Sequence, residues 1–263
     1  MGHYLHNWSD VWRAYRSGLP VPPLEFRDGF TLSGGRWDSP VLMLEEVFGD
    51  KIYRRQLPSK PNGIILDIGA NIGATVLDFA NRWPQVKIHA YEPNPSTFEV
   101  LQRNIFNNGL AGRVESFNEA VAGHVGSFNL WTEMISVGAS GYFTESPSFE
   151  AKPITVPCVD LETVFGRVAE DQIFLLKIDA EGAEVDILKR SVGLPFSRVQ
   201  HVAVECHNGL APGALEVCQR ITDNHGFRCV VKPVAEHAGI YMLYGRRPAD
   251  RQYPVLRSVT PHE

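Results

Sequence analysis

Gly63-Ile64-Ile65-Leu66-Asp67-Ile68-Gly69-Ala70-Asn71-Ile72-Gly73 is the stretch that decides how the rest of the chain is read. Residues 63–68 are apolar on both faces of an extended chain, as a central parallel strand requires. Val76, Leu77, Ala80 and Trp83 then recur at helical spacing until Pro84. A strand therefore runs through a glycine turn into a helix, the setting of a nucleotide-binding crossover. The spacing is D-x-G-x-N-x-G, carried by Asp67, Gly69, Asn71 and Gly73, and not the G-x-G-x-x-G of dinucleotide sites. A pyrophosphate needs bare amides at a helix start with no negative neighbour. Asp67 is expected to repel phosphate and to suit an ammonium or a sulfonium. S-adenosylmethionine (SAM) carries both and has no phosphate, and its carboxylate can use the amides that open the helix.

Working outward, a second strand is predicted over residues 86–91 and ends at Glu92. An acid about 20 residues beyond the glycine turn is placed to bind a ribose diol. Pro93 follows it, and Asn94 reads as a helix cap with Pro95 in the first turn. Phe98, Leu101 and Ile105 line that helix, and Gly109 lies past its end. A third strand, 113–118, leads to Asn118, Glu119 and Ala120, where contacts to an adenine edge are expected. Residues 126–132 read as extended, 133–152 as a loop and 154–158 as a strand. A fourth core strand covers 173–178, followed by a helix over 183–190. A fifth covers 201–205, then a helix over 215–224. Residues 227–232 and 240–244 close the domain as an antiparallel pair. Short strands alternating with helices predict an α/β protein with a seven-stranded, mostly parallel sheet and helices on both faces.

Composition narrows the function. The chain has 263 residues, 25 Lys plus Arg against 30 Asp plus Glu, and a net charge of −5. No basic cluster offers a face for a phosphate backbone, so nucleic acid is not an expected partner. No apolar run approaches the roughly 20 residues of a membrane span. The first 16 residues lack a secretory apolar core, so a cytoplasmic protein is expected. Cys158, Cys206, Cys218 and Cys229 have no C-x-x-C spacing and read as reduced thiols. Three regions are expected. Residues 1–62 form a helical and aromatic extension with Trp8, Trp12, Tyr15, Trp37 and Tyr53, serving as a lid, an acceptor pocket or a homodimer arm. Residues 63–247 form the SAM-binding domain, and residues 248–263 a tail.

Four segments together resemble one family: Ile65-Leu-Asp-Ile-Gly-Ala-Asn-Ile-Gly73, Tyr91-Glu-Pro-Asn-Pro95, Leu176-Lys-Ile-Asp-Ala-Glu-Gly-Ala-Glu184 and Val204-Glu-Cys-His207. They look like the FkbM family of SAM-dependent methyltransferases, over about residues 28–245. Residues 44–53 also resemble the segment that precedes the core in that family. The resemblance implies a Rossmann-like class I methyltransferase fold and methylation of a hydroxyl group. The acceptors of the family include natural products and sugars, so a small-molecule acceptor is expected.

Methyl transfer needs an acceptor oxygen held in line with the sulfonium methyl and relieved of its proton. Ligands sit beyond the carboxyl ends of parallel strands, and the fourth and fifth strand ends supply Asp179, Glu181, Glu205 and His207. Asp179 is the first choice for a base or a substrate-orienting acid, and it also counts among the cofactor contacts. Its alternative role is to cap the next helix or to fix a turn with Gly182. Glu181 is comparable to Asp179, and Glu184 reads as a first-turn helix charge. His207 has the unperturbed pKa of a base, with a satisfied loop histidine as the alternative. Glu205 either contacts substrate or neutralises Lys177. Asp179, Glu205 and His207 could converge on Mg²⁺, but one histidine among acids is a weak signal, and no metal is assigned. The segment Ser136–Phe143, with two glycines, two hydroxyls and two aromatics, reads as a cover over the cofactor or as a plain connection. The readings weighed against small-molecule O-methylation are methylation of a peptide carboxylate, amine or protein side chain, a non-catalytic SAM module, and a nicotinamide oxidoreductase. The absent third-spaced glycine and Asp67 count against the last.

Overall fold

The computed structural model describes residues 2–34, 40–61, 63–132, 140–141, 152–168, 172–234 and 239–248. Trp37, most of the segment Ser136–Phe143 and residues 249–263 of the expected tail lie outside the described residues. The central sheet has seven strands, β1 (Ile64–Ile68), β2 (Ile88–Tyr91), β3 (Val114–Phe117), β4 (Ile173–Ile178), β5 (Val199–His207), β6 (Arg228–Pro233) and β7 (Ile240–Arg246). Their order is β6-β7-β5-β4-β1-β2-β3. β7 is antiparallel to both neighbours and the remaining pairings are parallel. The chain builds outward from β1 to β3, then returns to lay β4 on the other side of β1. That reversal leaves a crevice beyond the carboxyl ends of β1 and β4.

Every residue of β1, β2 and β4 is buried, as the unbroken apolar runs required. Alternation along the strands sends neighbours to opposite faces. Ile65, Ile88 and Leu175 join one core with α1 (Ala74–Arg82) and α2 (Pro95–Asn107). Ile64, Leu66 and Leu176 join the other with α3 (Leu161–Gly166), α4 (Glu184–Lys189) and α5 (Ala214–Asn224). Asn94 caps α2 as expected, accepting from the Ser96 amide at 3.1 Å with Pro95 in the first turn.

Gly69 is required by a close approach of two strand ends. Its φ is +77°, and a Cβ there would lie 1.7 Å from the Asp179 carbonyl oxygen. Any side chain would push the end of β1 away from the end of β4.

The stretch between β3 and α3 is more ordered than a loop with two extended pieces. Ala120–Val121, Lys152–Val159, Gly126–Thr132 and Ser140–Gly141 form a second sheet, in that order. The ladder between Gly126–Thr132 and Lys152–Val159 is antiparallel over seven residue pairs. Helix α3 has no counterpart in the sequence reading. At six residues it is too short to show a period, although its cap is a standard one: Asp160 accepts from the Thr163 amide at 2.9 Å.

The N-terminal region folds against the first face of the sheet. Leu5, Val11, Leu24 and Leu32 are fully buried in the core that contains α1 and α2. A helix at Trp8–Arg16 is followed by a short antiparallel ribbon, Leu24–Glu25 with Thr31–Leu32. Asn104 of α2 and Asn108, which caps its C-terminus, hold that ribbon. Asn108 exchanges hydrogen bonds with the Thr31 backbone at 2.8 Å in both directions. Asn104 does the same with Ser33 at 2.9 Å and also donates to the Ile72 carbonyl at 2.8 Å. Within the N-terminal extension a four-residue α-helix, Pro40–Met43, widens into π-helical turns over Leu44–Asp50. Lys51, at φ +57°, then reverses the chain. Among the described residues no helix is long and apolar enough to cross a membrane.

Candidate active site

The crevice opens beyond the carboxyl ends of β1 and β4, where ligands of open parallel sheets bind. Its rim is made by Gly69 and Asn71 of the glycine turn, Glu92 and Pro93 after β2, Glu119 and Ala120 after β3, and Asp179 and Glu181 after β4. Val121, Phe128 and Leu130 of the second sheet supply an apolar wall. Glu92 is fixed by the amides of Asn71 (3.0 Å) and Asn94 (2.9 Å), donating to its two oxygens. Asn118 points elsewhere, donating to the carbonyls of Glu92 (2.9 Å) and Pro93 (3.0 Å), and so braces the loop that carries Glu92. Glu119 accepts from Arg167 at 2.7 Å. The Arg167 guanidinium also lies 4.3 Å from the centre of the Phe117 ring.

Asp67 does not face this space. It is fully buried behind the turn, where it accepts from the Thr75 hydroxyl at 2.5 Å and pairs with Lys177 at 3.0 Å. The expected placement of Asp67 beside a sulfonium is not met: it is absent from the crevice lining, and Lys177 balances its charge. Ala70 and Gly73 are backbone elements of the turn: Gly73 donates to the Ala70 carbonyl at 2.9 Å, and Ala70 to that of Tyr91 at 2.9 Å. Lys177, only 1% exposed, also donates to the Gly69 carbonyl at 2.6 Å and lies 3.6 Å from Asp179. It thus ties the end of β1 to the end of β4. Glu205 was expected to contact substrate or to neutralise Lys177; it makes no ion pair with Lys177, whose paired carboxylates are Asp67 and Asp179, but it lies near enough to favour the lysine cation when charged.

The four acid/base candidates do come together, in two layers. Asp179 (21% exposed) and Glu181 border the crevice, while Glu205 and His207 are buried behind them. His207 Nε2 lies 3.4 Å from Glu181, 3.8 Å from Glu205 and 4.0 Å from Asp179. Its Nδ1 lies 2.9 Å from Glu184. Glu184 is more than a helix charge: it is fully buried and also accepts from the amides of Ala180 (3.2 Å) and Gly182 (3.0 Å), which clamps the Asp179–Gly182 turn. Within that turn Glu181 adopts φ +48°, a left-handed conformation that costs a residue with a side chain about 1–2 kcal/mol.

Electrostatics follows from packing five acids around two cations. Burial pulls the His207 imidazole down, but Glu184, Glu181 and Asp179 outweigh it and hold the pKa at about 10. His207 is therefore an imidazolium at neutral pH, a charge balance for the acids and not a ready proton acceptor. Burial first, and then the Asp179 charge, push Glu205 up to about 8 and Glu181 up to about 7.

A residue that the motif reading left among the general aromatics completes the site. Tyr53 follows the π-helical turns, is buried, and places its hydroxyl 2.8 Å from Asp179 Oδ2 and 2.6 Å from Glu205 Oε2. Lys177 lies 4.9 Å from the centre of its ring. Its sequence distance from both acids exceeds a hundred residues, so no local spacing could reveal it. Asp179, Glu205 and His207 also present ligand atoms within 4.8 Å of one another. Lys177 and the His207 imidazolium already supply counter-charges there, and the Tyr53 hydroxyl lies within hydrogen-bond distance of both Asp179 and Glu205.

Strand order and crevice position define a Rossmann-like class I methyltransferase fold. Comparison with known proteins adds the family. The chain matches the methyltransferase FkbM domain over residues 67–229, and it belongs to that family. It is 25% identical over 257 residues to the 31-O-demethyl-FK506 methyltransferase FkbM of Streptomyces tacrolimicus, covering 87% of this chain and 98% of that one. It is 30% identical over 191 residues to methyltransferase sdnD of Sordaria araneosa, covering 61% and 72%. The crystal structure of methyltransferase FkbM from Methylobacillus flagellatus superposes with a TM-score of 0.52 at 15% identity, over 74% of this chain and 47% of that one. The protein is accordingly a SAM-dependent methyltransferase. The crevice fits that donor by its chemistry, with a fixed carboxylate at the end of β2 for a diol, an apolar wall for a flat base, and acids after β4 for a positive centre.

Proposed function

We propose that the protein methylates a hydroxyl group of a small-molecule acceptor, with Asp179 as general base. When bound, SAM supplies an electrophilic methyl group whose carbon–sulfur electron pair leaves with the sulfur. In this reading Glu92 binds the ribose, Phe128 and Leu130 flank the adenine, and Asp179 and Glu181 lie nearest the sulfonium. Asp179 carries the proposal because it joins two properties: it borders the crevice, and it sits 3.6 Å from the Lys177 ammonium. A hydroxyl needs such a group to share its proton as the oxygen attacks. Glu205 and His207 support Asp179 from behind. The name of the Streptomyces relative, which refers to an oxygen of its substrate, agrees with an oxygen acceptor.

The test is transfer of a labelled methyl group from SAM to a panel of hydroxyl, carboxylate and amine acceptors. Products confined to hydroxyls support the reading, and products confined to amines or carboxylates remove it. Exhaustive chelation should leave the rate unchanged, since no step requires an ion.

A further inference from the structure

Tyr53 poses a counting problem. A phenol has one proton and can donate once. Its oxygen lies within 2.8 Å of two carboxyl groups, one just past the end of β4 and one on β5. If both were ionised, one of the contacts would set two oxygen lone pairs against each other in a buried site, which is costly. One carboxyl group must bring a proton of its own. Asp179 is partly exposed, with the Lys177 ammonium 3.6 Å away. Glu205 is 10% exposed, and the nearest cation is His207 at 3.8 Å.

We propose that Glu205 carries a proton at neutral pH and donates it to Tyr53, which donates its own to Asp179, leaving Asp179 as the single anion of the three. The functional half of this inference rests on Asp179 being the base in methyl transfer. Asp179 Oδ2 is then held by Tyr53, and the proton of the acceptor hydroxyl passes to Oδ1 as the new oxygen–carbon bond forms. Tyr53 and Glu205 keep their protons and act as positioning residues. They aim Asp179 and prevent two adjacent anions from competing for one hydroxyl.

The charged and titratable groups around Glu205 agree. Lys177 faces it from β4, Asp179 from the residue just past β4, Cys206 and His207 from its own strand, Tyr244 from β7, and Glu46 and Tyr53 from the N-terminal region. The carboxylates in that set, Asp179 and Glu46, oppose its charge. Burial and the Asp179 charge raise Glu205 to about 8, in the direction of the retained proton.

The decisive measurement is an infrared pH titration of the full chain without SAM or acceptor, reading the carbonyl stretch of protonated carboxyl groups. The band should be present at pH 7, and its component with a midpoint near 8 should vanish in Glu205→Gln and persist in Glu181→Gln, which instead removes a component near 7. Asp179→Asn, which removes the neighbouring charge, should lower the midpoint by at least one pH unit, and it serves if Glu205→Gln does not fold. A wild-type spectrum at pH 6–7 with no band assignable to Glu205 overturns the proposal. So does loss of the band on adding Mg²⁺ at pH 7, which would mark the cluster as a cation site. Turnover is read separately. If the band is present and Asp179→Asn still transfers methyl groups at the wild-type rate, the shared proton stands and the base assignment falls. If the band is absent and Asp179→Asn is inactive, the reverse holds.

Discussion

Lys177 stands in the middle of an apolar strand, directly across from Asp67 in the register of β4 and β1. Removing one member of a buried ion pair leaves an uncompensated charge and costs about 3–5 kcal/mol. Lys177→Met should therefore lower the unfolding free energy from urea titration by an amount in that range, and adding Asp67→Leu should recover most of it. A single substitution that leaves the midpoint unchanged would show the pair to be ornamental. Asp179 answers to a different readout. Asp179→Asn should lower kcat by about 10²–10⁴, the usual worth of a positioned base, with the calorimetric Kd for SAM changed by only a few fold. The residues that motif reading found were those at strand ends, because the carboxyl edge of a parallel sheet is predictable from the strands alone. The roles of Asp67 and Glu205 were not legible. Which acid Lys177 meets depends on the register between strands more than a hundred residues apart, and no local pattern carries that information.

Elements were legible in proportion to their length and burial. The seven core strands announce themselves through apolar runs and the turns between them. The second sheet showed as two separate extended pieces, since the pairing of Gly126–Thr132 with Lys152–Val159 spans a long connection. The ribbon on α2 was also invisible, although its logic is simple. Asn104 and Asn108 are four residues apart on one helix face, about 6 Å, and Thr31 and Ser33 are two apart on a strand, nearly the same distance. Each side-chain amide imitates the backbone of a neighbouring strand. Asn104→Ala strands the amide and carbonyl of Ser33 and the carbonyl of Ile72, so it should cost about 1–3 kcal/mol by urea unfolding. Asn108→Ala should cost less, because that side is half-exposed to water.

At the scale of the molecule, the buried titrating groups set how stability follows pH. Glu205, Glu181 and His207 have folded pKa values raised to about 8, 7 and 10. The folded state therefore holds protons that the unfolded chain releases near pH 4.5 and 6.5, and stability falls as pH rises through those folded values. His201 and His225, neutral in the core, are lowered to about 4 chiefly by burial. Their contribution is present above pH 6.5 and lost as pH falls toward 4. The two sets oppose each other between about pH 4.5 and 6.5, so the urea midpoint should vary little there and decline from pH 7 to 10. His207→Gln should flatten the upper decline, and a midpoint that climbs through that range would contradict the placement of His207.

Tyr53 lies ahead of the stretch that matches the family, yet its hydroxyl touches the acids on which the proposed chemistry depends. A chimera that swaps in another protein's leading segment while keeping everything from the first core strand onward should still hold its donor, but without the phenol it would handle protons differently. Efforts to retarget this enzyme by exchanging parts must carry the front of the chain along with the reaction centre.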